Sequence, residues 1–182
     1  MSASPLEMFF SSATHYYICG RFAAFSALVP VAGNLFHHAV EMYLKGGLSK
    51  SKSLTDLKKL SHELPNVWAE FRAQFEEPLL QQFDDAISAL HAFEDLRYPN
   101  LVLAQGMSSK VSITKPSDPV AGTGAPPQYD LCVEEIDKLV ATLFTVVSVN
   151  PQFFTAGLKK GARQWLTETN AEDTLTSLKL TG

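Results

Sequence analysis

The reading of this chain turns on NLFHHAVEMYLKGGL, running from Asn34 to Leu48. Leu35, Ala39, Met42 and Tyr43 recur at spacings of three and four, as do Phe36, Val40 and Leu44, so the apolar face is broad. His37, His38, Glu41 and Lys45 fall largely outside that face and give the helix one polar edge. His37/Glu41 and Glu41/Lys45 are i,i+4 pairs, the second in the favourable order with the acid nearer the N-terminus. Gly46 and Gly47 predict the end of the helix, because glycine takes a left-handed C-terminal conformation at little cost. A helix this apolar must be covered over most of its circumference, which places it at the centre of a bundle.

Working outward towards the N-terminus, Ser4-Pro5 with Glu7 behind it predicts a helix start. That helix is expected to run to about Leu28 through Phe9, Phe10, Tyr16, Tyr17, Phe22 and Phe25. Aromatics this dense exceed what one side of a small bundle needs, and they read as core or as a subunit contact. Pro30 then separates this helix from the central one.

Towards the C-terminus, polar SKSKS precedes Leu54, Leu57, Leu60 and Leu64, a short helix expected to stop before Pro65. Asn66 is a candidate cap for a segment carrying Val67, Trp68, Phe71 and Phe75. Pro78 opens a further helix whose stripe is Leu79, Phe83, Ala86, Ile87, Leu90 and Phe93, ending at FEDLRYPN. From Leu101 to Tyr129 the helical pattern breaks. LVLA and KVSIT read as a small hairpin, and SDPVAGTGAPPQ as an exposed loop. Asp130 is expected to cap a strong helix bearing Val133, Ile136, Val140, Leu143 and Val147. Asn150-Pro151 restarts a helix through Phe154, Leu158 and Trp165. The expected architecture is all-α: an up-and-down bundle of four to five main helices in one domain over 1–168, with an insert at 101–129 and a tail at 169–182.

Composition narrows the function classes. Of 182 residues, 46% are hydrophobic and 19% charged, which suits a single domain with a sizeable core. A net charge of −4 argues against a strongly electrostatic nucleic-acid binder while leaving room for a local basic cleft. Cys19 and Cys132 form no metal-type spacing and read as small buried hydrophobes of a reducing compartment. Neither a signal peptide nor a membrane span is expected, so the chain is assigned to the cytoplasm.

Several chemistries lack their motif. There is no G-x-S-x-G elbow and no Gly-rich phosphate loop, and the basic clusters KSKS and GLKKGAR read as solvated surface. His37, His38 and Glu41, with His62, His91 and Asp95, contain two i,i+4 pairs with the spacing of metal ligands. No Glu-x-x-His or His-Glu-x-x-His run accompanies them, so neither a metal nor a cofactor is expected.

Three segments in order, HHAVEMYLKGGL, LKKLSHELPNV and FEDLRYPN, resemble the HEPN family of small helical domains, over roughly Met8 to Val149. The resemblance implies a dimeric bundle of four or five helices. Many members are metal-independent ribonucleases or partners of nucleotidyltransferases, and many work with the product of a neighbouring gene. The family's His-Ala-hydrophobic-Glu and Lys pattern corresponds to His38, Ala39, Val40, Glu41 and Lys45. Its His-acid-Leu signature corresponds to His62, Glu63 and Leu64, and its Arg-Tyr-Pro to Arg97, Tyr98 and Pro99. His38, Glu41, Lys45, His62, Arg97 and Tyr98 are therefore the candidate ligand-binding set, with Arg97 and Lys45 suited to a phosphate. The competing reading of the same residues is a structural ion-pair network.

One departure bears on activity. Nuclease members carry an Arg followed four to six residues later by His, whereas Arg97 is followed by YPNLVLAQ. The expectation is a non-catalytic binding or regulatory module for a nucleotide, RNA or protein partner, acting as a homodimer. The alternatives are a ribonuclease that uses His62, His38 or a residue of the insert as its base, and a purely structural dimeric interaction protein.

Overall fold

The computed structural model describes residues 3–97, 103, 108–114 and 128–169. The fold is all-α with a small two-stranded insert. Helix α1 spans Pro5–Phe25 and starts in a capping box. The Glu7 amide donates to Ser4 Oγ at 3.2 Å, and the Ser4 amide donates to Glu7 Oε2 at 2.7 Å. Helix α2 spans Val29–Leu48 and runs antiparallel to α1, as the ring contacts Phe10–Tyr43 (5.1 Å) and Tyr17–Phe36 (6.1 Å) require.

Helix α2 is central, but its boundaries differ from those expected. Pro30 lies in its first turn, where a missing amide costs nothing. At the other end it continues through Gly46 and Gly47 to Leu48. These glycines serve packing rather than termination. A Cβ at Gly46 would lie 2.7 Å from Phe10 Cδ2, and one at Gly47 would lie 2.6 Å from Phe71 Cε2. The expected polar edge is not solvated either. His37, Glu41 and Lys45 are all buried, because other segments close over that side.

Helix α3 (Leu54–Lys59) and helix α4 (Leu64–Phe75) follow. Leu64 belongs to α4, and Pro65 opens that helix instead of closing the one before. Asn66 is therefore inside the first turn and does not cap it. The next apolar stripe is divided into a 3₁₀ segment (Pro78–Phe83), helix α5 (Asp84–Ala92) and a second 3₁₀ segment (Phe93–Arg97). Phe83, Ala86, Ile87, Leu90 and Phe93 are buried as the spacing predicts, whereas Leu79 is exposed.

Strands β1 (Ser108–Ser112) and β2 (Gln128–Cys132) pair in parallel, from Ser108 opposite Gln128 to Ser112 opposite Cys132. The KVS segment thus pairs with QYDLC, and the LVLA arm of the expected hairpin, Leu103 apart, lies outside the described residues. Parallel strands need a long crossover, and the intervening chain supplies the length. Asp130 is a strand residue, and Cys132 takes the N-cap of helix α6, Val133–Val147. The α6 stripe of Val133, Ile136, Val140, Leu143 and Val147 is wholly buried. Helices α7 (Gln152–Thr155) and α8 (Lys160–Thr169) end the described chain. The sequence from Asn170 onward lies outside the described residues. Cys132 is buried as expected, but Cys19 is exposed on α1.

A buried ion pair joins α1 to α6. Arg21 of α1 donates through Nη1 to Asp137 of α6, and the Tyr17 hydroxyl donates to the same carboxylate. Arg21 Nη2 reaches the Thr169 carbonyl at 2.6 Å, tying α8 to α1. No helix among the described residues is long and apolar enough to cross a membrane.

Candidate functional site

The site is built around Glu41, on the side of α2 that faces α3, α4 and the segment from α5 onward. Its carboxylate is only 4% exposed as a residue, yet both oxygens are engaged. Lys45, one turn further along α2, donates from Nζ to Glu41 Oε1 at 2.7 Å. His62, from the junction of α3 and α4, brings Nδ1 within 3.1 Å of both carboxylate oxygens. His38 Nδ1 lies 3.8 Å from Oε2. Burial alone would raise the Glu41 carboxyl. Hydrogen bonds from His38, Lys45 and His62, with the Lys45 charge, outweigh burial and hold it down at about 2.

The α3–α4 junction is shaped for this contact. Ser61 takes a left-handed backbone conformation (φ 53°), uncommon for a residue with a Cβ. That turn aims the Ser61 carbonyl at Lys45 Nζ, 2.5 Å away, and carries His62 over Glu41. The His62 side chain remains 67% exposed, so it forms the mouth of the cluster. His38 is partly exposed, against the ring of Tyr16 at 5.6 Å between centroids.

Beneath the mouth lies His37, with no exposed surface. Its Nδ1 is 3.2 Å from Glu94 Oε1, and its ring stacks on that of His91 at 6.1 Å. Burial drives the His37 pKa down to about 4 against the pull of Glu94 and Glu41, so the ring is neutral near pH 7. His91 Nε2 in turn lies 3.3 Å from Glu63 Oε2.

Of the six expected residues, His38, Glu41, Lys45 and His62 come together. The Arg97 backbone ends the second 3₁₀ segment, which packs against α2; its side chain and Tyr98 lie outside the described residues. Asp95, considered with the histidines, is exposed. The sequence reading missed Glu94 and the Ser61 carbonyl, and it named Glu63 only as part of the His-acid-Leu signature. The two acids sit beside known motif residues, but only folding shows which histidine each faces.

A second concavity lies between α4 and the segment beginning at Pro78, lined by Pro65, Trp68, Arg72, Asp84, Ile87 and Ser88. There Asp84 accepts from Trp68 Nε1 at 2.7 Å and from Arg72 Nη1 at 2.8 and 2.9 Å. Its polar groups satisfy one another, as expected of an interhelical brace.

Compared with protein-family models, with curated proteins and with solved structures, the chain has no significant match to any.

Proposed function

We propose that the chain is a HEPN-like binding or regulatory module, a cytoplasmic homodimer without nuclease activity that takes a nucleotide, RNA or protein partner. The observation that carries this reading is the meeting of Glu41 and Lys45 of α2 with His62 of the α3–α4 junction. Segments far apart in sequence, each bearing a motif of the resemblance, converge on one half-open polar cluster. Lys45 is already committed to Glu41 and to the Ser61 carbonyl. A phosphate would therefore depend chiefly on Arg97, which is charged at all working pH values. Arg97 cannot remove a proton, and the sequence lacks the histidine that nuclease members place four to six residues after this arginine. For the dimer, support comes from the outer face of α1, where Met8, Phe22 and Phe25 are exposed.

A second reading, a ribonuclease with His62 as base, is favoured by one observation. Glu41 holds His62 Nδ1 at 3.1 Å while the side chain stays largely exposed, the relation of a carboxylate to a histidine that it orients. A positioned base contributes on the order of 10²–10⁴-fold to such a reaction. The test incubates the purified chain, in chelator, with labelled single-stranded RNA and tRNA, alongside Arg97→Ala and His62→Ala. The module reading expects no cleavage, with retention of RNA or nucleotide that Arg97→Ala weakens. Cleavage abolished by both substitutions would make the chain an enzyme. Neither retention nor cleavage would leave a structural dimer.

A further inference from the structure

We propose that His37, His38 and Glu41 form a binding site for one first-row divalent metal ion, of the two-histidine, one-carboxylate kind that zinc occupies. One donor atom from each of the three lies within 4.8 Å of the others. All three project from adjacent turns of α2, at positions i, i+1 and i+4, so a regular backbone sets their spacing. Zinc takes nitrogen and oxygen donors at about 2.0–2.2 Å, which puts neighbouring donors roughly 3–3.5 Å apart. Side-chain rotations of about an ångström would close the set to that size.

An independent observation comes from His37. It has no exposed surface, and among the described residues neither ring nitrogen makes a hydrogen bond. A buried polar ring without a hydrogen bond is unfavourable and uncommon in folded proteins. The neighbours do not supply one. His91 stacks on the ring, His38 meets it edge-on at 5.7 Å, and Glu94 Oε1 stands 3.2 Å from Nδ1 without hydrogen-bond geometry. With Nδ1 turned to Glu94, Nε2 is the atom left to ligate, and a small shift of Glu94 would complete a carboxylate–histidine–metal relay.

The remaining donors fit the same arrangement. Lys45 holds Glu41 Oε1, and an ion on Oε2 would take the place of the His62 hydrogen bond there; that oxygen is 3.8 Å from His38 Nδ1 and 3.1 Å from His62 Nδ1. His62 stands at the exposed side, where it can serve as a fourth ligand or yield that place to water. The Lys45 charge opposes a cation, so affinity should fall below that of zinc sites closed by thiolates. No Glu-x-x-His signature marks these residues in the sequence; the burial of His37 without a hydrogen bond among the described residues is what distinguishes them.

This inference does not rest on the module reading, since the metal titration involves neither RNA nor a partner. The full chain, free of any affinity tag and dialysed against chelator, is titrated with Zn²⁺ by calorimetry and with Co²⁺ by visible absorbance. One ion per chain is expected, with Co²⁺ bands of low coordination number. Loss of an outer-sphere partner alone weakens metal sites by about 10–100-fold, so His38→Ala should weaken binding at least about tenfold. His38 is partly exposed, so this variant should fold even if His37→Gln does not, and circular dichroism checks both. His15→Ala, an exposed histidine on α1, should bind like the parent. No saturable binding by the parent would overturn the site. Unchanged binding by His38→Ala, or an equal loss in His15→Ala, would do the same.

Discussion

The ring of Phe93 lies directly against the backbone of Gly33, so close that a Cβ on that glycine would sit 1.9 Å from Phe93 Cδ1. Phe93 is fully buried and packs edge-on against Tyr129 at 5.9 Å, so it has little freedom to retreat. This contact seats the second 3₁₀ segment, and with it Glu94, on α2. Alanine within a helix is favoured over glycine by about 1 kcal/mol, but overpacking a filled core costs about 1–3 kcal/mol or more. A 1.9 Å approach falls at the upper end of that cost, so Gly33→Ala should lose about 2 kcal/mol net, a fall in Tm of roughly 4–8 °C. An unchanged or raised Tm in a thermal melt would show that Phe93 yields.

Arg21 and Asp137 join α1 to α6 with both side chains buried. Asp137→Ala would leave a buried guanidinium, and the Tyr17 hydroxyl, without the carboxylate they donate to. Breaking such a pair from one side costs about 3–5 kcal/mol, whereas replacing both partners by apolar residues is often neutral. In urea titrations Asp137→Ala should drop the midpoint sharply, and Arg21→Met with Asp137→Leu should recover much of it. Equal losses in the two proteins would assign the effect to packing instead of charge.

Glu41 makes acid stability a readout of the cluster. Its folded pKa, about 2, lies below its ordinary 4.5. A depressed carboxyl stabilises the fold fully above the unfolded pKa, and that contribution is lost as pH falls through 4.5 towards 2. With chelator present, the stability difference between the parent and Glu41→Gln should shrink as pH falls below about 4.5. A difference that does not change on acidification would count against an ionised, hydrogen-bonded Glu41.

The exposed apolar face of α1 predicts the oligomeric state. Phe22 and Met8 are each 62% exposed, and Leu28 and Val31 at the turn into α2 are 51% exposed. Patches of this kind on a small domain commonly mark an interface, and a two-fold axis is the commonest way to close one. Light scattering should give a dimer mass, and Phe22→Glu should shift it to monomer with an unchanged helical spectrum. A parent that is monomeric at tens of micromolar would remove the dimer from the proposal.

What the sequence determined by itself is the set of helices and most of their buried stripes. The spacings of three and four in α2, in Phe83 to Phe93 and in Val133 to Val147 are properties of single segments, and those residues are buried as their period requires, Leu35 and Met42 only in part. What only the tertiary structure decided is what each segment meets. Gly46 and Gly47 have the local chemistry of a helix end, but Phe10 and Phe71 press on α2 there, so the glycines stay helical and leave room. Asp130 has the chemistry of a cap, but pairing with Lys110 draws it into a parallel strand. His37 belongs to the polar edge by period, yet Glu94 and His91 arrive from more than fifty positions away and bury it. Periodicity is written in one helix; burial and the pairing of charges depend on distant segments that the period of that helix does not describe.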